Sequence, residues 1–248
     1  MRITLQPAFV LHSRPYRETS VLLDLFTAEY GRVAAIAKGV RQKRSRLKPL
    51  LQPFIPLLVS WYGKGELVTL QAAEPNGYQA RLVGECLFSG LYLNELLTKV
   101  LPKFDAQAQL YTIYQKTLIE LQGERLQQKV LRLFEKKLLE ELGYGLQLSH
   151  DVSTRSDFAA DKYYSYHPEH GFELCEDALP IQALRFLGKS LIALANEQLE
   201  DDECLRDAKR LMRLAMTSLL GQYQLNSRKL YVQADVHPIA IPDEMETE

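Results

Sequence analysis

Ser20-Val21-Leu22-Leu23-Asp24-Leu25-Phe26-Thr27, Ala28-Glu29-Tyr30-Gly31 and Arg32-Val33-Ala34-Ala35-Ile36-Ala37-Lys38 read as strand, hairpin connection and strand. In the first run Val21, Leu23 and Leu25 share one face, and in the second Val33, Ala35 and Ala37 do. The same two-residue period leaves Arg32, Ile36 and Lys38 on the outer side. The second strand thus carries positive charge outward into a loop at residues 39–48. Counted from Lys38, that stretch holds six cations in eleven residues (Lys38, Arg41, Lys43, Arg44, Arg46 and Lys48) and no acid.

Working outward, Phe9-Val10-Leu11-His12 is an earlier strand, ended by a turn-like Arg14-Pro15. Beyond the loop, Pro49, Pro53 and Pro56 bracket a fourth strand whose Ile55, Leu57, Val59 and Trp61 share a face, which puts Trp61 in the core. Gly63-Lys64-Gly65-Glu66 turns into a fifth strand at residues 67–73. This turn lacks the upstream glycine and the helix that a phosphate-binding loop requires. Five short strands in the first 78 residues imply an N-terminal OB-fold β-barrel.

From residue 79 the period changes to 3.6. Helices are expected at 82–101, 105–121, 126–142, 179–199 and 204–220, with Pro102, Gly123, Gly143-Tyr144-Gly145 and Gly221 as stops. Between the third and fourth, Lys162-Tyr163-Tyr164-Ser165-Tyr166-His167 and Gly171-Phe172-Glu173-Leu174 read as a hairpin protruding from the helices. The fold class is α+β: a barrel (1–78), a mostly helical domain with a small inserted hairpin (79–237), and an acidic, disordered tail (238–248).

The net charge of −1 conceals an asymmetry. Residues 1–80 carry 11 Lys/Arg against 5 Asp/Glu, and the remainder 19 against 26. Clustered cations gain free energy by releasing counterions from phosphates, so the basic front points to a polyanion. The start of the chain lacks a signal-peptide pattern and no apolar run reaches about 20 residues, so a cytoplasmic, nucleoid-associated protein without membrane contact is expected. Cys86, Cys175 and Cys204 are too far apart for a disulfide framework and are expected to be reduced. His150, His167, His170 and Cys175 lack the repeated short spacings of a structural zinc site, and no metal or other cofactor is expected.

On the third helix Val130, Leu131, Phe134, Leu138 and Leu142 share one face, while Lys129, Arg132 and Lys136 cluster within about 60° on the other. That cluster suits an acidic peptide. No nucleophile, base and orienter assemble, and Glu140-Glu141 and Glu200-Asp201-Asp202-Glu203 read as solvated surface. A metal-dependent nuclease with an OB-fold domain is the alternative; it would need carboxylates converging near the basic face, whereas Glu18, Asp24, Glu29, Glu66 and Glu74 are scattered.

Ala8-Phe9-Val10-Leu11-His12-Ser13-Arg14-Pro15-Tyr16-Arg17-Glu18-Thr19-Ser20, Ala37-Lys38-Gly39-Val40-Arg41 and Leu51-Gln52-Pro53-Phe54-Ile55-Pro56-Leu57 resemble the RecO family of bacterial DNA-repair mediators. The likeness continues in Gly90-Leu91-Tyr92-Leu93-Asn94-Glu95-Leu96, in residues 134–145 and in Leu225-Asn226-Ser227-Arg228. The resemblance implies a non-enzymatic protein that binds single- and double-stranded DNA and anneals complementary strands. With RecR it would load RecA onto DNA coated by single-stranded DNA-binding protein (SSB), whose acidic tail it would bind. Some members carry a four-cysteine zinc module between the helices; here only Cys175 and histidines stand there.

On this reading the DNA-binding residues are Arg32, Lys38, Arg41, Lys43, Arg44, Arg46 and Lys48, supplemented by Arg14, Arg17 and Lys64. The SSB tail would meet Arg132 with Lys129 or Lys136, and its apolar end Leu110, Tyr111 or Tyr114. A monomer is expected.

Overall fold

The computed structural model of the chain describes residues 2–123, 128–168, 170–175, 184–227 and 230; the tail at 238–248 lies outside them. The strands β1 (Arg2–Tyr16), β2 (Ser20–Thr27), β3 (Gly31–Ala37), β4 (Leu57–Tyr62) and β5 (Leu67–Pro75) close into a barrel in the order β1-β2-β3-β5-β4. The first three form an antiparallel meander, β5 runs parallel to β3, and β4 is antiparallel to both β5 and β1. That is the strand order of an OB-type barrel.

The β2–β3 register follows from alternation: Val21 faces Ala37, Leu23 faces Ala35 and Leu25 faces Val33. These residues, with Leu57, Val59 and Trp61, form the barrel interior. Trp61 is buried there, edge-on to Tyr30 at 5.4 Å between ring centroids. β1 is longer than its sequence suggests and does not break at Arg14-Pro15. Beyond Ala8 its only strand partner is β2, apart from an isolated bridge of Val10 to Pro53, since β4 ends there, and a proline is tolerated on such an edge.

The C-terminal half contains α1 (Gly84–Val100), α2 (Ala108–Glu120), α3 (Gln128–Glu141), α4 (Gly188–Ala195) and α5 (Asp202–Leu220). The expected hairpin is present as β6 (Tyr163–His167) and β7 (Gly171–Leu174). It does not protrude: Tyr164, Tyr166 and Phe172 lie in the same core as the helices. A third strand, β8 (Arg185–Leu187), adds to β6 where a continuous helix over 179–199 was expected, and α4 starts only at Gly188. Pairing with β6 buries Phe186 completely, which overrides its helical periodicity.

Barrel and helices share one hydrophobic junction. Phe9 and Phe26, on the outer side of β1 and β2, pack against Tyr111 and Tyr114 of α2 with centroids 5.1–6.0 Å apart. Asn94 of α1 donates to the Leu11 carbonyl at 3.1 Å and accepts from the Tyr114 hydroxyl at 2.5 Å. Burial raises the pKa of Tyr114 well above the ordinary tyrosine value, so the phenol remains a donor at all physiological pH. The helices therefore cover the Phe9–Leu11–Phe26 part of the barrel and leave its far end open.

Candidate nucleic-acid interface

The open end is closed by the basic loop itself. Val40 and Leu51 are buried in the barrel core, and Leu47 and Leu50 pack against it. Turn hydrogen bonds run from the Gln42 amide to the Gly39 carbonyl (3.2 Å), from Ser45 to Gln42 (3.1 Å) and from Leu51 to Leu47 (3.0 Å). With its apolar residues turned inward, the loop exposes Lys38, Arg41, Lys43, Arg44, Arg46 and Lys48. Among the described residues, none of the six forms an ion pair. Cations not neutralised by ion pairs are what phosphate binding requires.

The β1–β2 turn joins this cap. The Arg41 amide donates to the Thr19 carbonyl at 2.9 Å, and the Arg41 guanidinium donates to the Arg17 carbonyl at 3.0 Å. Arg17, in the left-handed region with φ +50°, lays its guanidinium over the Tyr16 ring at 5.2 Å. Arg14 and Arg17 are both exposed beside the loop. Lys64 is exposed in the β4–β5 turn, separated from this group: that turn leads into Leu67, which faces Ala34, and the adjacent Glu66 pairs with Lys103 at 2.8 Å.

Arg32 does not extend the basic surface. Its guanidinium donates to the Thr98 carbonyl at the end of α1 (2.5 Å) and lies 3.8 Å from Asp24, with 18% of the side chain exposed. The Phe104 amide also bonds the Arg32 carbonyl at 3.0 Å. The residue ties the barrel to the helices, because strand alternation assigns a face without saying what covers it.

The cations of α3 are paired within the chain. Arg132 is 7% exposed and pairs with buried Glu135 at 3.0 Å. Lys136 pairs with Glu140 (3.4 Å) and Glu197 (3.3 Å), and Lys129 with Glu200 (2.8 Å). Glu200, read as solvated, is exposed and reaches Lys129 from the segment between α4 and α5, and Glu197 reaches Lys136; Asp201 caps α5 by accepting from the Glu203 and Cys204 amides. Leu110, Tyr111 and Tyr114 are buried, the two tyrosines against Phe9 and Phe26.

Sequence reasoning missed the work done by Tyr92-Leu93-Asn94-Glu95. Tyr92 donates to Glu135 at 2.5 Å, Asn94 holds β1 and α2, and Glu95 accepts from the Asn226 amide (2.9 Å) and the Ser227 amide (2.8 Å). One turn of α1 thereby fixes the barrel, α2, α3 and the C-terminal segment. The polar side chains inside an otherwise apolar helix were the available signal.

Among the described residues, no three His, Cys, Asp or Glu side chains stand close enough to hold a metal ion. All three cysteines are free thiols, two of them buried. No helix of the described residues is long and apolar enough to cross a membrane.

Residues 1–78 match the family model for the N-terminal part of recombination protein O, and residues 83–229 match that for its C-terminal part. The chain belongs to the RecO family. The DNA repair protein RecO of Nitrosococcus oceani is 47% identical over 232 residues, 93% of each chain. That of Coxiella burnetii is 46% identical over 229 residues, 92% of this chain and 98% of the relative. That of Yersinia pestis is 43% identical over 238 residues, 96% and 98% respectively. The RecO family is one of DNA-repair proteins, and the basic cap lies in its N-terminal unit.

Proposed function

We propose that the chain is a non-enzymatic mediator of recombinational repair that binds single- and double-stranded DNA through phosphates and anneals complementary strands. With RecR it loads RecA onto SSB-coated DNA. The observation that supports this most is the cap at residues 38–48: six cations without an ion pair among the described residues, held on a loop whose apolar residues plug the barrel, with the Arg17 turn tied to it through Arg41. Annealing needs a surface that neutralises both backbones without reading bases, so that pairing itself checks the sequence. An ordered basic cap meets that need with less entropy lost on binding than a free tail would lose.

Engagement of about five phosphates predicts a log–log salt slope near −3.5 to −4.5, at ~0.7–0.9 per contact. Replacing Arg41, Lys43, Arg44 and Arg46 by Ala should flatten it and weaken both DNA forms. Unchanged slope and affinity in that variant would remove the cap from the DNA site. RecR and the SSB tail enter as partners through the family likeness. Annealing of SSB-coated complementary oligonucleotides, with and without the last residues of SSB, tests DNA and partner together.

A further inference from the structure

The two ends of the barrel are finished differently. Val40 and Leu51 of the basic cap plug one end. The other, where β3 and β5 begin and β4 ends, holds a pocket of about 550 Å³ lined by Tyr30, Trp61, Val68, Phe104 and the turn at residues 63–66. That size falls within the ~300–1,000 Å³ range of clefts that take up a ligand. Trp61 and Val68 are buried at its floor, whereas Phe104 is 41% exposed at its rim. Phe104 is held in the left-handed region, at φ +56°, with its amide donating to the Arg32 carbonyl. That conformation is costly for a bulky residue, and such strain points to use. Lys64 at the rim is exposed and forms no ion pair among the described residues, while Glu66 is already paired with Lys103 at 2.8 Å.

The chain itself supplies a segment of matching chemistry. Pro238-Ile239-Ala240-Ile241-Pro242 is apolar, and Asp243, Glu244, Glu246 and Glu248 follow it with no cation among them. In an extended backbone, which Pro242 favours for Ile241, Ile239 and Ile241 project to one side. The acids alone would suit the basic cap, but the cap turns its apolar residues into the barrel and leaves isoleucines little to bury against. The place where the described chain ends also favours the pocket. The Ser227 amide is held by Glu95 of α1, and Tyr223 lies against Lys99 one turn on. Thr98 and Phe104, at and just past the end of α1, both bond Arg32 beside the pocket. From Glu95 to Phe104 the chain covers at most about 22 Å, at ~1.5 Å per helical residue and ~3.5 Å per residue beyond. From Ser227 to Ile239 it can span up to roughly 40 Å.

We propose that Ile239 and Ile241 seat in this pocket against Trp61, Tyr30 and Phe104, with Asp243 and Glu244 at Lys64. Burial of the two aliphatic side chains drives the docking, and the charges fix its direction. The tail thereby plugs the second mouth of the barrel as the cap plugs the first, and it does so whether or not the cap binds DNA.

Disulfide trapping in the full chain tests this, in a Cys175→Ser background that leaves only the buried Cys86 and Cys204. With oxidised glutathione as the oxidant, Lys64→Cys paired with Asp243→Cys should close within the chain about tenfold faster than Lys43→Cys paired with Asp243→Cys, because docking raises the effective concentration at the pocket alone. Adding Ile239→Ser and Ile241→Ser should bring the first rate down to the second. Trp61 is the only tryptophan of the chain, so its fluorescence reports on the pocket without any label. Ile239→Ser with Ile241→Ser should shift its emission to the red and increase its quenching by acrylamide. Alanine at Arg41, Lys43, Arg44 and Arg46 should change neither. Circular dichroism confirms that each variant keeps the fold. Closure at the cap as fast as at the pocket would overturn the proposal and place the tail on the cap. Trp61 emission and quenching unaltered by the two serine substitutions would overturn it as well, and would leave the pocket to a partner.

Discussion

The guanidinium of Arg41 donates to the main-chain carbonyl of Arg17 at 3.0 Å, tying the basic cap to the β1–β2 turn across 24 residues of sequence. Both side chains are exposed, and neither forms an ion pair among the described residues. Their mutual repulsion is tolerated because both are exposed to a high-dielectric solvent, and an arriving phosphate relieves it.

Arg41 thus has two separable contributions, its charge and its hydrogen bond. Arg41→Ala should reduce the magnitude of the log–log salt slope by ~0.7–0.9, the share of one phosphate contact. Arg41→Lys keeps the charge but loses the planar donor fork, so the slope should stay near that of the wild type. DNA titrations at four or five salt concentrations would show whether slope and charge separate in this way.

The pair of Arg132 and Glu135 at 3.0 Å is buried, and Tyr92 donates to the same carboxylate oxygen at 2.5 Å. Removing one partner strands the other charge. Arg132→Ala should therefore destabilise the chain by about 3–5 kcal/mol, measured by urea unfolding. Arg132→Met with Glu135→Gln removes both charges and keeps an acceptor for Tyr92, and should recover a large part of that loss. A near-neutral Arg132→Ala would show instead that this arginine faces solvent and is available to a ligand.

The barrel was legible because its strands alternate strictly: Leu23, Leu25, Val33 and Ala35 leave no second register that buries the apolar set. Its continuation through Pro15 was not, since whether a proline ends a strand depends on which neighbour is present. The β8 strand escaped for a similar reason, its identity coming from pairing with β6. Likewise the period of α3 separated its apolar face from Lys129, Arg132 and Lys136, but periodicity cannot reveal a second partner. Glu197 and Glu200, some 60 to 70 residues on, pair with Lys136 and Lys129 of that face. The basic cap remained visible because charge density without nearby acids is a local property of sequence.

Gly31 closes the β2–β3 hairpin at φ +58°, and a Cβ there would come within 1.8 Å of the Asp105 carbonyl oxygen. The backbone of the interdomain segment occupies the space a side chain would need. Gly65, in the β4–β5 turn at φ +84°, has nothing within 4 Å of such a Cβ. Gly65→Ala should cost backbone strain alone, roughly 1–2 kcal/mol. Gly31→Ala should cost distinctly more, because the barrel and the segment leading to α2 must also separate. Parallel urea titrations would read the difference, and equal costs would show that the segment yields freely.

Glu95 anchors the C-terminal segment by accepting from the Ser227 amide (2.8 Å), the Asn226 amide (2.9 Å) and the Tyr223 hydroxyl (3.0 Å), while Lys99 sits 4.0 Å over the Tyr223 ring. Burial alone would raise its pKa, but the donors from Ser227, Asn226 and Tyr223 outweigh burial and hold the carboxyl below its ordinary 4.5. A carboxylate lowered on folding contributes stability that is fully present above 4.5 and is lost as the pH falls through the lowered value. Hydrogen-exchange protection of the Asn226 and Ser227 amides should accordingly be constant near neutrality and decline on acidification below that point. Glu95→Gln keeps an acceptor but not the charge, so protection should be weaker at pH 7 and its acid dependence at these amides should disappear. Protection that falls instead between pH 6 and 7 would implicate another group. Loss of protection at these amides without loss in the barrel would show that the segment opens as a local unit and leaves the barrel folded.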